Sequence, residues 1–202
     1  MRTIRVLLLL VAAAPSAAAA QPGYFRQPAI HGDTVVFVAE GDLWSVPLAG
    51  GQTTRLTTHP AAEGRPAISP DGKFLAFTAR YEGPTEVYVM PLAGGRPRQL
   101  TFDAARISHV GWTPDGRVLV GTDAHAGLPA HQLVALDFSS AEGALTRARI
   151  PLAQAAQGCY APDGKTLFFT RLEFQGSHTK RYKGGTAQQL WSFREATRRP
   201  NR

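Results

Sequence analysis

The sequence predicts an all-β fold made of repeated four-stranded antiparallel sheets, and three observations carry this prediction. A Pro-Asp-Gly turn occurs three times, with its prolines at Pro70, Pro114 and Pro162, which are 44 and 48 residues apart. A second type of segment recurs in step with these turns: DLWSVPLAGG from Asp42, EVYVMPLAGG from Glu86, QLVALDFSS from Gln132 and QLWSF from Gln189. Charged residues make up only 18% of the chain, which holds 20 glycines and 15 prolines, and this composition favours short strands and frequent turns.

The turns and the runs that follow them indicate tight hairpins between buried strands. Proline presets φ at the first central position, aspartate bonds to the backbone that follows it, and glycine adopts the left-handed conformation. The apolar runs FLAFT and TLFFT that follow two of the turns are continuous rather than alternating. Continuous runs of this length are typical of strands that are buried on both faces.

Repeated units with covered inner strands predict the blades of a β-propeller. An antiparallel sandwich would leave one solvated face per sheet and would not require a 44-residue repeat. We place the blades at residues 24–58, 61–102, 107–151 and 157–193, of which the last is incomplete, and expect 194–202 to be a disordered or aberrant basic tail. About three and a half blades do not close a ring, so the front part of a longer propeller is expected.

Two sets of residues recur at equivalent positions, and we interpret both as structural. One set occupies the middle of the turns: Asp71, Asp115 and Asp163. We expect these to be turn residues rather than a ring of functional carboxylates. The other set stands at equivalent strand positions: Trp44, Tyr88 and Trp191. We expect these aromatic residues to pack between blades rather than to form a ligand-binding box.

The first twenty residues have the pattern of a secretory signal peptide. Arg2 and Arg5 precede the apolar run VLLLLVAAAP, and small residues lead to a cleavage site after Ala20. The alternative, a membrane anchor, is disfavoured because a spanning helix needs about 20 apolar residues. We therefore expect a periplasmic or secreted chain that begins at Gln21 and has no stable membrane span.

Charge and cysteine content restrict the partners and the chemistry. The formal net charge is +7, but residues 21–170 hold 12 basic and 13 acidic side chains, whereas residues 171–202 hold 8 and 2. A nearly neutral body with a basic end does not indicate nucleic-acid binding. The single cysteine, Cys159, has no partner for an internal disulfide, and we expect it to be a small buried residue beside a turn.

No catalytic, metal or cofactor site is expected in this chain. Serine catalysis needs a nucleophile, a base and an orienting group, but the sequence contains no G-x-S-x-G elbow, and Ser177-His178 is read as part of a solvated loop. Asp123, His125 and His131 lack the spacing of an established metal motif. The glycines lack phosphate-loop or dinucleotide-binding spacing and are expected to serve turns.

The segment from Lys180 to Thr186 is the best candidate for a binding role. Lys180, Arg181 and Lys183 flank Tyr182, and two glycines follow. Such a basic rim would suit an acidic or carboxyl-terminated peptide, or a neighbouring domain. The alternative is a solvated loop with a glycine turn.

Four segments resemble the amino-terminal propeller of tricorn-type proteases, in particular the secreted bacterial members. They are GYFRQPAIHGDTVVFVAEGDLWSVPLAGG, the run from RLTTHPAAEGRPAISPDGKFLAFTAR through EGPTEVYVMPLAGGRPRQLTF, then VGWTPDGRVLVGT, and KRYKGGTAQQLW. The combination of EGPTEVYVMP with KRYKGGTAxxLW is the specific part, because TolB-like and prolyl-oligopeptidase-like propellers share the Pro-Asp-Gly turns. The likeness spans residues 23–191.

The resemblance implies a six-bladed propeller, followed in complete members by a second propeller, a PDZ-like domain and a serine-peptidase domain. Nothing in this chain aligns with the peptidase domain. The implied function is therefore a propeller fragment, not catalytic by itself, that admits or positions peptides or unfolded protein segments for the remaining domains, with a second copy of the chain as a further possible partner. The alternative is a non-enzymatic periplasmic propeller of TolB type that makes protein–protein contacts.

Overall fold

The structure, a computed structural model, describes residues 24–124, 126–127, 130–139, 144–173, 184–185 and 187–194. These residues contain fifteen β-strands and no helix, and the strands form four separate antiparallel sheets. The prediction of an all-β fold built from propeller blades is therefore confirmed. Within the described ranges, no helix is long and apolar enough to cross a membrane.

Each sheet is one blade, and its strands lie side by side in chain order. The first blade contains β1 (Arg26–His31), β2 (Thr34–Ala39), β3 (Asp42–Pro47) and β4 (Thr54–Arg55). The second contains β5 (Glu63–Ile68), β6 (Phe74–Ala79), β7 (Glu86–Pro91) and β8 (Arg98–Gln99). The third contains β9 (Ile107–Trp112), β10 (Val118–Thr122), β11 (Gln132–Asp137) and β12 (Thr146–Arg149). The fourth contains β13 (Gln157–Tyr160), β14 (Thr166–Thr170) and β15 (Leu190–Arg194).

The Pro-Asp-Gly turns join the first and second strands of the last three blades. Gly72, Gly116 and Gly164 have φ values of 71°, 83° and 66°, which is the left-handed region that glycine adopts without steric cost. The amide of each glycine donates to the carbonyl three residues earlier, at 2.9 to 3.0 Å. All three turns lie at the same end of the blades, and we call this end of the propeller the turn side.

The first strands of the blades form the inner edge of the stack, because β1, β5, β9 and β13 contact one another in succession. A bulge interrupts the pairing of β1 with β2 and of β5 with β6. Gln27 and Arg65 lie in these bulges with φ values of 50° and 52°, a conformation that is uncommon for residues other than glycine.

Hydrophobic clusters fill the spaces between successive blades, and the two faces of one strand contribute to different clusters. In β6, Leu75 and Phe77 pack towards the first blade, whereas Ala76 packs towards the third. This arrangement explains why FLAFT is apolar at successive positions, as expected for a strand with a neighbouring blade on each side.

The fourth blade departs from this pattern. Leu167 and Phe169 of β14 are buried against the third blade, but Phe168, between them, is 39% exposed. Cys159 pairs with Phe168 in the sheet and is also exposed. The prediction that Cys159 is buried is therefore wrong, because no described residue packs on the face of the fourth blade that carries it.

Candidate functional site

A groove of about 930 Å³ opens on the turn side between the second and third blades. One wall is formed by the end of β7 and by β8, and the other by the turn after β9 and the end of β11. The groove exists because neighbouring blades touch along their inner strands and diverge towards their outer strands. Its lining residues come from segments that are far apart in the sequence.

Three aromatic side chains form an apolar floor in the groove. Phe138 meets Phe74 edge to face at 5.3 Å and Trp112 at 6.0 Å between ring centroids. The indole Nε1 of Trp112 donates to the carbonyl of Ala67 at 2.8 Å. Because this bond fixes the orientation of the indole, the floor presents a rigid apolar surface to a ligand.

Arginine side chains line the rim of the groove, and they differ in how they are bonded. Arg117 donates from Nε and Nη2 to Oδ2 of Asp115 at 2.9 and 2.8 Å. Arg98 donates to the carbonyl of Phe138 at 3.2 Å, across the two blades. Arg96 is exposed and forms no ion pair with any residue that the structure describes. Its guanidinium is therefore available to an acidic ligand.

The aspartates of the turns are held in their charged form by hydrogen bonds. The hydroxyl of Ser69 donates to Asp71 at 2.6 Å, and this bond lowers the pKa of Asp71. Burial raises the pKa of Asp115, but bonds from Thr113 and Arg117 outweigh this effect and leave the pKa lowered. These local bonds support the interpretation of both carboxylates as turn residues.

The same account holds for two further carboxylates on the turn side. Backbone amides of Lys165 and Thr166 donate to Asp163 at 2.9 Å and lower its pKa to about 2. The hydroxyl and amide of Ser139 donate to Asp137 at 2.7 and 2.9 Å and lower the pKa of Asp137. All these aspartates carry a negative charge at neutral pH, which limits the positive character of the rim.

A chain of hydrogen bonds connects the inner strands of all four blades. The amide of Arg65 donates to Oε1 of Gln27 at 2.7 Å, and its guanidinium donates to the carbonyl of Ser108 at 2.9 Å. The hydroxyl of Ser108 donates in turn to the carbonyl of Ala156 at 2.6 Å. Each bond crosses one blade boundary, so this inner ladder fixes the blades relative to one another at the axis.

His109 lies in β9 beside this ladder, and it is poorly placed to carry a charge. Burial, assisted by the guanidinium of Arg65, lowers the pKa of His109 to about 4, although a bond with the backbone of Gly158 opposes the shift. Its Nε2 atom is buried and has no hydrogen-bond partner among the described residues. The imidazole is therefore neutral at pH 7.

Buried carboxylates on the side opposite the turns were not anticipated from the sequence. Glu63 accepts from the hydroxyls of Thr57 at 2.6 Å and Tyr81 at 2.7 Å, and burial outweighs these bonds and raises its pKa. Glu86 accepts from the hydroxyl of Thr101. The bonds of Glu63 hold the start of β5 to the segments that follow β4 and β6, and the bond of Glu86 holds the start of β7 to the segment that follows β8. We therefore interpret both carboxylates as structural.

The aromatic residues at equivalent strand positions differ in burial. Tyr88 is 4% exposed and stacks on Phe77 at 5.9 Å between the first and second blades, as predicted. Trp191 is 44% exposed beneath the guanidinium of Arg171. Trp44 lies on the face of the first blade that points away from the second blade, beneath the guanidinium of Arg55, so it does not pack between two described blades.

The basic segment predicted to bind a partner, Lys180, Arg181, Tyr182 and Lys183, lies outside the described residues, as do His125 and Ser177-His178. Asp123 is described, and its Oδ1 accepts from the amide of Arg106 at 3.0 Å. Across the described ranges, no cluster of His, Cys, Asp or Glu is suited to hold a metal ion. No described serine hydroxyl donates to a histidine in these ranges.

Sequence reasoning also missed the groove residues and the inner ladder. The shared segments RQPAI and GRPAI would have indicated equivalent positions for Gln27 and Arg65 at the inner edge. Arg96 stands just after Gly95 in a strand connection, and nothing in its sequence context distinguishes it from a solvated turn residue.

Comparison with known proteins agrees with this architecture. The family model of the tricorn protease N-terminal beta propeller domain matches residues 22–202. Tricorn protease homolog 1 of Streptomyces coelicolor is 38% identical over 178 residues, which are 87% of this chain and 16% of that relative. This chain thus spans a small part of the length of that relative.

Solved structures show the same fold. The crystal structure of the tricorn protease superposes with a TM-score of 0.70 over 85% of this chain and 17% of that chain, at 24% identity. TolB from Acinetobacter baumannii superposes with a TM-score of 0.61 over 77% of this chain and 39% of that chain, at 25% identity. The likeness to the tricorn crystal structure concerns the fold alone at this identity.

Proposed function

The chain belongs to the tricorn protease N-terminal β-propeller family, and from this premise we propose that it is a non-catalytic propeller in a proteolytic system. It binds peptide or unfolded protein segments and positions them for a serine-peptidase unit. The observation that supports this proposal best is the groove between the second and third blades, which the exposed Arg96 and the aromatic floor line together.

The groove suits an extended segment better than a folded partner. A volume of about 930 Å³ falls within the range of sites that enclose small ligands or a few residues. The floor formed by Phe74, Trp112 and Phe138 would take an apolar side chain. Arg96 would bond to a carboxylate, either of an acidic side chain or of a peptide C-terminus.

The catalytic step is assigned to another part of the proteolytic system. The described residues hold no serine bonded to a histidine, a pair that the Ser-His-Asp mechanism of peptide hydrolysis requires. We expect the purified chain to remain unlabelled by a fluorophosphonate probe. Labelling of the chain would contradict this part of the proposal.

The place of action is proposed to be the periplasm or the exterior of the cell. This rests on residues 1–20, which have the composition of a signal peptide and lie outside the described residues. Mass spectrometry of the exported protein should give a chain that begins at Gln21. An intact Met1 on exported protein would contradict it.

Peptide binding is tested by fluorescence anisotropy with two labelled peptides. One has a glutamate between two phenylalanines, and the other has glutamine in its place. Because Arg96 is exposed and solvent weakens its ion pairs to about 1 kcal/mol or less, we expect Arg96→Ala to weaken binding of the glutamate peptide by up to about fivefold. Binding of the glutamine peptide should change little.

The matched control is Arg80→Ala. Arg80 is also exposed, but it lies on the side opposite the turns, where it bonds to the carbonyl of Gly83 at 3.4 Å. This variant should bind both peptides like the parent chain. Equal affinities of the parent chain and of Arg96→Ala for the glutamate peptide would refute the assigned role of the groove.

A second candidate function is a protein–protein contact of the TolB type. The structural likeness to TolB from Acinetobacter baumannii, at 25% identity, favours it. Under this alternative the chain would bind a folded protein and neither test peptide, and Arg96→Ala would leave that binding unchanged if the groove is not used.

A further inference from the structure

We propose that the groove between the second and third blades selects short zwitterionic peptides, which carry a free ammonium at one end and a free carboxylate at the other. The second blade holds the carboxylate of such a peptide, and the third blade holds its ammonium. This inference rests on the peptide binding proposed above and names the class of peptide. Its basis is the distribution of charge between the two walls of the groove.

The two walls of the groove carry opposite net charges. Each wall contributes three charged side chains: from the second blade Asp71, Arg96 and Arg98, and from the third blade Asp115, Arg117 and Asp137. The second-blade wall therefore has an excess of one positive charge, and the third-blade wall has an excess of one negative charge. The groove is neutral as a whole, so its potential favours a ligand that is itself neutral but has two charged ends.

On the second-blade wall, Arg96 is available to the carboxylate of a ligand. Arg98 already donates to the carbonyl of Phe138 at 3.2 Å, and Asp71 already accepts from the hydroxyl of Ser69 at 2.6 Å. Arg96 is exposed and has no ion pair with a described residue. A guanidinium in this position can form charge-assisted hydrogen bonds to a carboxylate.

On the third-blade wall, Asp137 is available to the ammonium of a ligand. Arg117 is already bonded to Asp115 through both Nε and Nη2, so this pair contributes no net charge. Asp137 accepts from the amide and the hydroxyl of Ser139, and both bonds end at Oδ1. Among the described residues, none donates to its Oδ2 atom, which can therefore accept from an ammonium.

The two available charges lie close to a contact between the walls. Arg96 precedes Arg98 by two residues, and Asp137 directly precedes Phe138. Because Arg98 donates to the carbonyl of Phe138, the walls are one arginine side chain apart at this point. Extended peptides of two to four residues span about 7–14 Å, so the two ends of such a peptide can reach both walls.

The aromatic floor adds a preference for an apolar residue between the two ends. Phe74, Trp112 and Phe138 form this floor, and the indole N–H of Trp112 is already bonded to the carbonyl of Ala67. The three side chains therefore offer no donor to a ligand. A polar side chain placed there would lose its hydrogen bonds with water without replacing them.

Free termini fit these walls better than an internal segment of a longer chain does. A short free peptide carries both charges whatever its sequence, whereas an internal segment carries them only where basic and acidic residues are suitably spaced. A ligand with a carboxylate alone would bring a second negative charge towards Asp137, and like charges in contact are unfavourable.

The test is isothermal titration calorimetry with the tripeptide Ala-Phe-Ala in four forms: free at both ends, acetylated, amidated, and blocked at both ends. The free form should bind most tightly. Since the groups are accessible to solvent, each block should weaken binding by up to about fivefold. Replacing the central phenylalanine by asparagine should weaken binding of the free form as well.

Two variants assign the two ends of the peptide. Asp137→Asn should remove the preference for the free form over the acetylated form and leave the effect of amidation, whereas Arg96→Ala should do the reverse. Asparagine keeps the oxygen that accepts from Ser139, so the turn is retained. The matched control is Asp33→Asn, in the turn between β1 and β2, which should keep both preferences.

The outcomes separate this inference from the proposed function. Equal affinities of the parent chain for the free and acetylated forms would overturn the inference, whereas Arg96-dependent binding of the glutamate peptide would still support the proposed function. Equal affinity for a blocked peptide with lysine and glutamate on either side of phenylalanine would also overturn it, because side chains would then supply the charges. Failure of every peptide to bind would overturn both.

Discussion

The first three strands of the third and fourth blades pair in the same way, but their surroundings differ. In the third blade, Leu119 and Leu133 are fully buried because the fourth blade packs on them. At the equivalent positions of the fourth blade, Phe168 is 39% and Leu190 is 73% exposed. The sequence pattern thus decides which face of a blade is apolar, whereas burial of that face depends on whether another blade is present.

The largest effect is expected on the free energy of unfolding when leucine is replaced by alanine at the equivalent positions 133 and 190. Leu133→Ala should lower the free energy of unfolding by about 2–5 kcal/mol, because it opens a cavity in a packed boundary. Leu190→Ala should change it by less than about 0.5 kcal/mol, as is usual for an exposed position. Urea unfolding at low protein concentration measures both values. Similar losses for the two variants would show that Leu190 is buried in the folded chain.

A second prediction concerns pH, because the interior of the stack contains His109 in β9. Its pKa is lowered from 6.5 to about 4 in the folded chain, so the unfolded chain binds more protons between these values. Stability is therefore complete above pH 6.5 and falls as the pH drops towards 4, by about 2–3 kcal/mol for this group.

The variant His109→Gln should remove this part of the pH dependence, as measured by urea midpoints between pH 7 and pH 4. The control is His31→Gln, which makes the same change at a histidine at the end of β1 and leaves the imidazole in β9 in place. An unchanged slope in His109→Gln would mean that the folded chain accommodates a charged imidazole in β9.

Much of the fold could be predicted because its signals are local. Each Pro-Asp-Gly turn is determined by a few neighbouring residues, and the left-handed φ of Gly72, Gly116 and Gly164 agrees with the predicted conformation. The continuous run FLAFT correctly predicted burial on both faces. The same reasoning failed for Cys159, because its exposure depends on which described residues pack against the fourth blade and not on local sequence.

The candidate site could not be predicted, because it is assembled from distant segments. Arg96 and Phe138 come from different blades, and they line one groove only because two sheets diverge at a particular boundary. The basic segment from Lys180 to Lys183 remains a prediction, since it lies outside the described residues. The buried bond between Thr57 and Glu63 gave no recognisable pattern at all.

A third prediction compares the second strands of the third and fourth blades. Gly121 and Thr170 occupy equivalent positions, paired with Leu133 and Leu190. A Cβ atom at Gly121 would lie 2.2 Å from the carbonyl oxygen of Ala156, so Gly121→Ala should cost about 1–3 kcal/mol through displaced backbone. Thr170→Ala should cost less than about 1 kcal/mol. Thermal unfolding of both variants checks this, and equal melting temperatures would contradict the packing at the third boundary.

The smallest predicted effect isolates one bond of the inner ladder. Ser108 is 1% exposed and donates to the carbonyl of Ala156 at 2.6 Å, so Ser108→Ala should lower stability by about 1 kcal/mol. Ser192 lies on an exposed part of β15, and Ser192→Ala should have no measurable effect.

Because Ser108→Ala also vacates space beside Gly121, the double variant Ser108→Ala/Gly121→Ala should be more stable than the sum of the single effects implies. Strictly additive losses of stability in urea unfolding would show that the hydroxyl of Ser108 and Gly121 do not share one crowded site at the boundary between the third and fourth blades.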